Sequence, residues 1–416
     1  MAILDQAARW RQLTPHLKIL EPLETVIAGI TMFLFSQGLI GPLLMADQDS
    51  ESPILRLMWP PVYLVVLIMM ACRPSQMMRA LAAGWPWLGL AGLCILSMTW
   101  SLDPGISLRR GIAILFTSMF GIWLAGRFSW AHLLEIIAVS FLVQAVLSLL
   151  ISALVPSLGV MHEIHVGAWK GIWWEKNTLG SMMAWGTLSM LAAAAANPKR
   201  RLMWWGLAPL PIFLVVMSTS KTGLLACMMA ICGPIAIALV RRGMGFAGVA
   251  IFGAMMAGFV VLFALIAGPV AVLEALGRDA TLTGRTDIWA VLMDMITARP
   301  WTGYGYGAFW VVEDGPVHWV RVITAWPVPT AHNAWLETAL AIGVPGVILA
   351  AFGIFRAFGQ ALLRMGAGVE AFWALPFFVV WLMVSLTEST MLQQNSLSWS
   401  LLIATATKLS LGRKLS

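Results

Sequence analysis

Charge is scarce in this chain. Asp, Glu, Lys and Arg make up 11% of the 416 residues, against 60% for the apolar set, whereas a soluble domain carries about 25% charge. That poverty excludes an ordinary water-soluble globule. Cysteine is scarce too: Cys72, Cys94, Cys227 and Cys232 all sit in or at the edge of apolar runs, which core packing explains better than disulfides or zinc. The opening MAILDQAARWRQLTPHLKIL lacks the compact apolar core and small-residue cleavage site of a signal peptide, so cleavage is not expected. The sequence contains no GxSxG elbow, no P-loop and no low-complexity tract. It also lacks an internal repeat, which speaks against a transporter built from repeated halves.

What the chain does have is apolar runs of about 20 residues, each long enough to cross a bilayer as a helix. Backbone groups in lipid must be satisfied within the segment, and the period-two pattern of a membrane barrel is absent. The expected fold is therefore an all-α polytopic membrane protein, read as a single membrane domain over 1–416. Twelve spans are expected, near 23–45, 52–72, 80–101, 105–126, 132–156, 177–196, 202–219, 222–240, 245–268, 334–357, 371–389 and 395–411.

The net charge of +7 does not point to nucleic acid, because the basic residues follow the positive-inside pattern. With a cytoplasmic N-terminus, most of the 26 Lys and Arg residues fall on the inner side. They include Arg9, Arg11, Lys18, Arg73, Arg127, Arg241, Arg364, Lys408, Arg413 and Lys414. Both termini are then cytoplasmic. The remaining cations, among them Arg109, Arg110, Lys170, Lys176, Lys221, Arg278 and Arg285, fall on the outer side, where snorkelling to the interface is the alternative to a functional role.

Three outer segments stand out: 157–176, with His162, Glu163 and His165; the long stretch 269–333; and the polar turn TESTMLQQNS at 387–396. Within the second, TGRTDIWAVLMDMITARP places Ile288, Val291, Leu292, Met295 and Ile296 on one helical face. Asp287 sits in its first turn and Pro300 ends it. This pattern predicts an amphipathic helix lying on the outer surface of the membrane.

Six outer stretches concentrate the polar chemistry: WSLDPGISLRRG (100–111), GIWWEKNTLG (171–180), STSKTG (218–223), TGRTDIW (283–289), GYGYGAFW (303–310) and TAHNAWLE (330–337). They come from different spans but one leaflet, so a common outward-facing cavity is expected. Arg110, Lys176, Lys221 and Arg285 are cations at or near helix ends, suited to a diphosphate, with anchoring to lipid headgroups as the alternative. His332 opens an apolar run, and Asn333 and Glu337 share a face one turn apart. His332 can take a proton near neutral pH, and Glu337 can orient the site by accepting a hydrogen bond. A simple N-terminal capping cluster is the competing account. His162 and His165 lack further ligands of metal-site spacing. GYGYG has no preceding strand, so it is read as a turn able to bring backbone N–H groups near an anion.

In order and spacing, GIWWEKNTLG, TGRTDIW, RPWTGYGYG and HNAWLETALAIGVPG, with WSLDPGISLRRG upstream, resemble the O-antigen ligase and Wzy-type polysaccharide polymerase superfamily. The likeness is strongest from about 170 to 346. It implies a GT-C-type membrane glycosyltransferase in the bacterial inner membrane, with its active site facing the periplasm. Such an enzyme moves a glycan from an undecaprenyl-diphosphate-linked oligosaccharide to a glycan or lipid A core acceptor with inversion. It uses no nucleotide sugar, cofactor or obligatory metal, and a chain-length regulator is a partner to expect. The resemblance assigns Lys176, Lys221 and Arg285 to the diphosphate and His332 to the acceptor, with Asn177, Asn333 and Gly284 in supporting places. Glu175 stands where the family often has histidine, and Lys221 where arginine is common; lysine keeps the charge but loses the bidentate fork. Trp173, Trp174, Trp301, Trp310, Trp319, Trp326 and Trp335 offer faces for sugar rings, although tryptophan is also the usual residue of the interfacial belt. Polymerase is favoured over ligase because the long outer loop is rich in aromatics and turns. A lipid-linked glycan transporter and a non-catalytic assembly subunit are the competing classes.

Overall fold

The computed structural model describes residues 20–44, 53–162, 165–248, 285–325 and 327–412. The expected span 245–268 falls almost wholly outside them, as do Arg9, Arg11, Lys18, Glu163, Arg278, Gly284, Trp326, Arg413 and Lys414. Helices follow in the order α1 (20–35), α2 (Ile40–Leu44), α3 (Pro53–Ala71), α4 (Pro74–Ala83), α5 (Trp85–Leu96), α6 (Pro104–Arg127), α7 (Trp130–Leu154), α8 (Pro156–Gly159) and α9 (Lys176–Ala196). Then come α10 (Arg201–Leu207), α11 (Pro209–Met217), α12 (Lys221–Val240), α13 (Arg285–Ala298), α14 (Pro316–Thr324), α15 (Ala334–Leu363), α16 (Ala371–Ser385) and α17 (Leu397–Ser410). Extended pairing among the described residues is confined to one bridge, Val160 to Trp169.

Seven segments of the described residues are long and apolar enough to cross a bilayer: α3, α6, α7, α9, the α10–α11 stretch, α12 and α15. The pair α4–α5 makes an eighth if it is a single span, bent by 77°. The chain is thus an all-helical, multi-pass membrane protein. Helices α16 and α17 cover the expected spans 371–389 and 395–411 but are shorter, at 15 and 14 residues.

Two packing centres organise the bundle. Helix α9 is enclosed by α7, α10, α11, α12 and α16, and α6 packs against α3, α4, α5 and α17. Small residues permit the closest approach: a Cβ on Gly223 of α12 would lie 2.7 Å from the Cα of Gly180 on α9. The first turns of these two helices are therefore pressed side by side.

At one end of the bundle, cations close helix C-termini. Lys408, 2% exposed, donates to the carbonyl oxygens of Ala125 (3.2 Å) and Phe128 and lies over the Trp130 ring. Arg73 and Arg127 converge on the buried Glu24. Leaving such buried acceptors unpaired costs about 1–3 kcal/mol per group. Lys408→Met is accordingly expected to lower the melting temperature of the solubilised protein by several degrees; unchanged melting would show that the carbonyls need no cation.

The expected helix within 269–333 is present as α13, and its apolar face is the one read from the sequence. That face does not meet lipid. Ile288, Val291, Leu292 and Ile296 are buried in a second core with Tyr304, Phe309, Val317, Val320, Ala339 and Leu340. Helix α14 and the start of α15 thus take the place that the sequence reading gave to the membrane.

Candidate functional site

Helix α15 is broken. Ile342 leaves helical geometry and Gly343 adopts φ +70°, ψ −176°, a conformation essentially confined to glycine. A break frees backbone groups, which cannot stay unpaired once buried. The 299–307 loop supplies their partners: Tyr304 N–H donates to the Leu340 carbonyl (2.7 Å), Gly305 N–H to that of Ala341 (3.1 Å), and Val344 N–H to that of Pro300 (2.7 Å). Of the N–H groups of GYGYG, read as able to approach an anion, those of Tyr304 and Gly305 are used on the broken helix, that of Gly303 on the Arg299 carbonyl (3.0 Å) and that of Tyr306 on Ser97 Oγ (2.9 Å).

Around this joint several of the polar stretches meet. Arg110 donates to the Gly307 carbonyl (2.9 Å) and Ser107 Oγ to that of Tyr306 (2.9 Å), tying α6 to the loop. Tyr306 donates to the Leu392 carbonyl and to Gln394 Oε1, reaching the 387–396 turn. Burial drives its phenol well above the ordinary range, so it acts as a neutral donor. Arg110, expected at the diphosphate, holds this loop in the structure.

Glu337, in the first turn of α15, accepts from Ala331 N–H (2.6 Å), the Trp310 indole (2.8 Å) and Ser389 Oγ (3.2 Å). It thereby holds Ala331, the residue immediately before His332. Asn333 caps α15, accepting from the N–H groups of Trp335 (2.9 Å) and Leu336 (3.2 Å), which is the capping account of that residue. His332 between them has φ +47°, a left-handed conformation disfavoured for a residue with a Cβ. Its Nδ1 lies 3.7 Å from Glu388 Oε2. Glu388 is a carboxylate that sequence reasoning passed over, and its signal was there: an acid in a short polar turn between two apolar runs.

His332 and Glu388 line a cleft with Glu175, Asn177, Thr330 and Trp185. Two of the six polar stretches, together with the 387–396 turn, thus share one cavity. A third stretch is joined to it, because Ser220 Oγ donates to Asn177 Oδ1 (2.9 Å). Lys176 and Lys221 are the first residues of α9 and α12. Lys176 Nζ reaches Thr219 Oγ1 (3.4 Å), in the turn before Lys221, and the two ammonium groups lie within electrostatic reach of each other. Partial burial, then the nearby Lys176, hold the His165 imidazole below its usual pKa. Arg285 opens α13, with its side chain outside the described residues. On the same helix Trp289 donates to the Ala331 carbonyl (2.9 Å), so α13 also abuts the His332 loop. Among the described residues no three of His, Cys, Asp and Glu gather as a metal-holding group.

Of the tryptophans singled out in the sequence, Trp173 is buried against the Ser36 carbonyl and Trp310 is held by Glu337, while Trp301 and Trp319 are exposed. The tryptophan in the cleft wall is Trp185, hidden in the sequence by the apolar run around it.

The fold and site define a multi-pass helical membrane protein whose polar cleft is flanked at one end by two lysine-bearing helix N-termini. Residues 205–351, which include Lys221, Arg285, His332 and Glu337, match the family model described as O-antigen ligase. The exopolysaccharide production protein ExoQ of Rhizobium meliloti (strain 1021) is 28% identical over 290 residues, 65% of this chain. The matched region spans 63% of that relative's length. These findings bear out the resemblance to the O-antigen ligase and polysaccharide polymerase superfamily.

Proposed function

We propose that the protein is a metal-independent, inverting glycosyltransferase of GT-C type, working on the periplasmic side of the bacterial inner membrane. It takes a glycan from undecaprenyl diphosphate and joins it to an acceptor hydroxyl, polymerising exopolysaccharide or O-antigen repeat units. The proposed setting has twelve spans in a single membrane domain, both termini in the cytoplasm, and 269–333 as a periplasmic loop. The likeness to an exopolysaccharide production protein supports the polymerase. Attachment of glycan to a lipid A core is the second reading, and the match to the O-antigen ligase family supports it. A chain-length regulator is the partner expected of the polymerase.

The observation that carries this reading is the pairing of Lys176 and Lys221. Helix N-termini bear about half a positive charge each, so a lysine at the first position is at the unfavourable end. Here two such ends and two ammonium groups lie together beside a cleft. An anion relieves that repulsion, and helix N-termini are ready-made phosphate sites. The family resemblance assigns Arg285 to the same diphosphate. A diphosphate is already a good leaving group, so charge stabilisation on it matters more than a general acid. His332 takes the proton of the acceptor hydroxyl, with its ring oriented by Glu388 and its backbone fixed through Glu337.

Charge-assisted hydrogen bonds contribute roughly 1.5–3 kcal/mol. Lys221→Ala is therefore expected to raise the lipid-linked donor concentration for half-maximal transfer in membrane vesicles by about tenfold or more, while Lys221→Arg retains transfer. Unchanged donor dependence in the alanine variant would remove Lys221 from the diphosphate site.

A further inference from the structure

The cleft carries a charge that glycosyl transfer alone does not demand. Two carboxylates, Glu175 and Glu388, line it with hydroxyl and amide side chains such as Asn177, Thr178 and Gln393. His332 is its basic group, and among the described residues no Lys or Arg lines it. Lys176, next in sequence to Glu175, is not part of the lining. The site therefore splits its charge, with cations beside the cleft and acids within it.

A second observation points to a ligand. The indole N–H of Trp185, a residue 1% exposed, and the Thr390 hydroxyl are buried without a hydrogen-bond partner, and both residues form the cleft wall. Buried polar groups are normally paired. A ligand that both accepts and donates hydrogen bonds would complete them, and sugar hydroxyls do both.

We infer that this cleft is the subsite for the terminal sugar of the acceptor, and that it selects an uncharged ring over one bearing a carboxylate. The inference rests on the glycosyltransferase reading and deepens it. Carboxylates accept hydrogen bonds from neighbouring ring hydroxyls, and hydroxyl and amide side chains exchange them in both directions. A uronate would add a third negative charge between Glu175 and Glu388 in a partly enclosed site, where like charges repel more strongly than in water. The lysines able to compensate stand outside, where the donor diphosphate holds them. Glu175 thus acquires a role of its own at the position where the family often has histidine.

The test is saturation-transfer NMR on the full-length protein in lipid nanodiscs. The probes are methyl β-glucoside with methyl β-glucuronoside and methyl β-galactoside with methyl β-galacturonoside, each pair differing at C6. Wild type is expected to give transfer from at least one neutral glycoside, with binding of its acidic counterpart about tenfold weaker or more. The Glu175→Gln, Glu388→Gln double variant is expected to remove that discrimination, and Trp185→Phe to weaken the neutral signal. Equal transfer within both pairs, no transfer from any probe, or discrimination that survives the double variant would overturn the inference. Catalysis is judged separately, by whether a His332→Asn strain makes glycan. A missing glycan ladder there with no discrimination here sinks the subsite alone, whereas a restored ladder removes His332 from the chemistry and with it the proposed active site.

Discussion

A deletion strain complemented with His332→Ala is expected to show single repeat units in place of the long-chain ladder on a surface-glycan gel, at normal membrane levels of the variant. A positioned base contributes roughly 10²–10⁴ in rate, enough to erase visible chains. The backbone at His332 complicates a simple alanine test, because φ +47° favours residues that tolerate the left-handed region. Asn tolerates it better than Ala, so His332→Asn keeps the local chain path while removing the base. Both variants should fail alike if the imidazole moves the proton. If Asn restores the ladder, His332 serves the turn and not the chemistry. Long chains that form in either variant but stay on the lipid carrier would instead favour the ligase.

The sequence made the membrane fold legible because hydrophobic runs obey a length rule, and the described spans fall close to where those runs lie. His332, Glu337 and Lys176 were legible as polar groups where apolar neighbours make them costly. Their division of labour was not. Glu337 and His332 look like a pair at helical spacing, yet the carboxylate Glu337 is occupied by Ala331, Trp310 and Ser389, and the acid facing His332 comes from 56 residues downstream. No local rule foretells that contact, since it depends on how α15 and α16 pack. Trp185 was hidden for the opposite reason: inside an apolar run, a tryptophan at a cleft wall and one facing a core read alike. The face of α13 was correctly drawn, but periodicity specifies only that a stripe is apolar, and α14 and the start of α15 cover it as well as lipid would.

The joint at Gly343 should be the most sensitive backbone position in the site. A Cβ there would lie 2.5 Å from the Trp301 carbonyl carbon and 2.6 Å from its oxygen, and the ψ of −176° at φ +70° is closed to residues with side chains. Such a conformation alone costs about 1–3 kcal/mol, and the clash adds to it because the 299–307 loop cannot withdraw without releasing its bonds to Leu340, Ala341 and Val344. Gly343→Ala is therefore expected to straighten α15, displace the loop and pull His332 and Glu337 out of register with Glu388. The glycan ladder should vanish and the solubilised protein should melt well below wild type. Gly92→Ala, where a Cβ meets nothing within 4 Å, is the control: in an intact helix that change is expected to be neutral or stabilising by up to about 1 kcal/mol. Equal melting and equal ladders in the two variants would show that the break in α15 is incidental. A Gly343→Ala protein that inserts, melts low and makes no glycan, beside a normal Gly92→Ala protein, would show that the broken helix holds the catalytic groups in place.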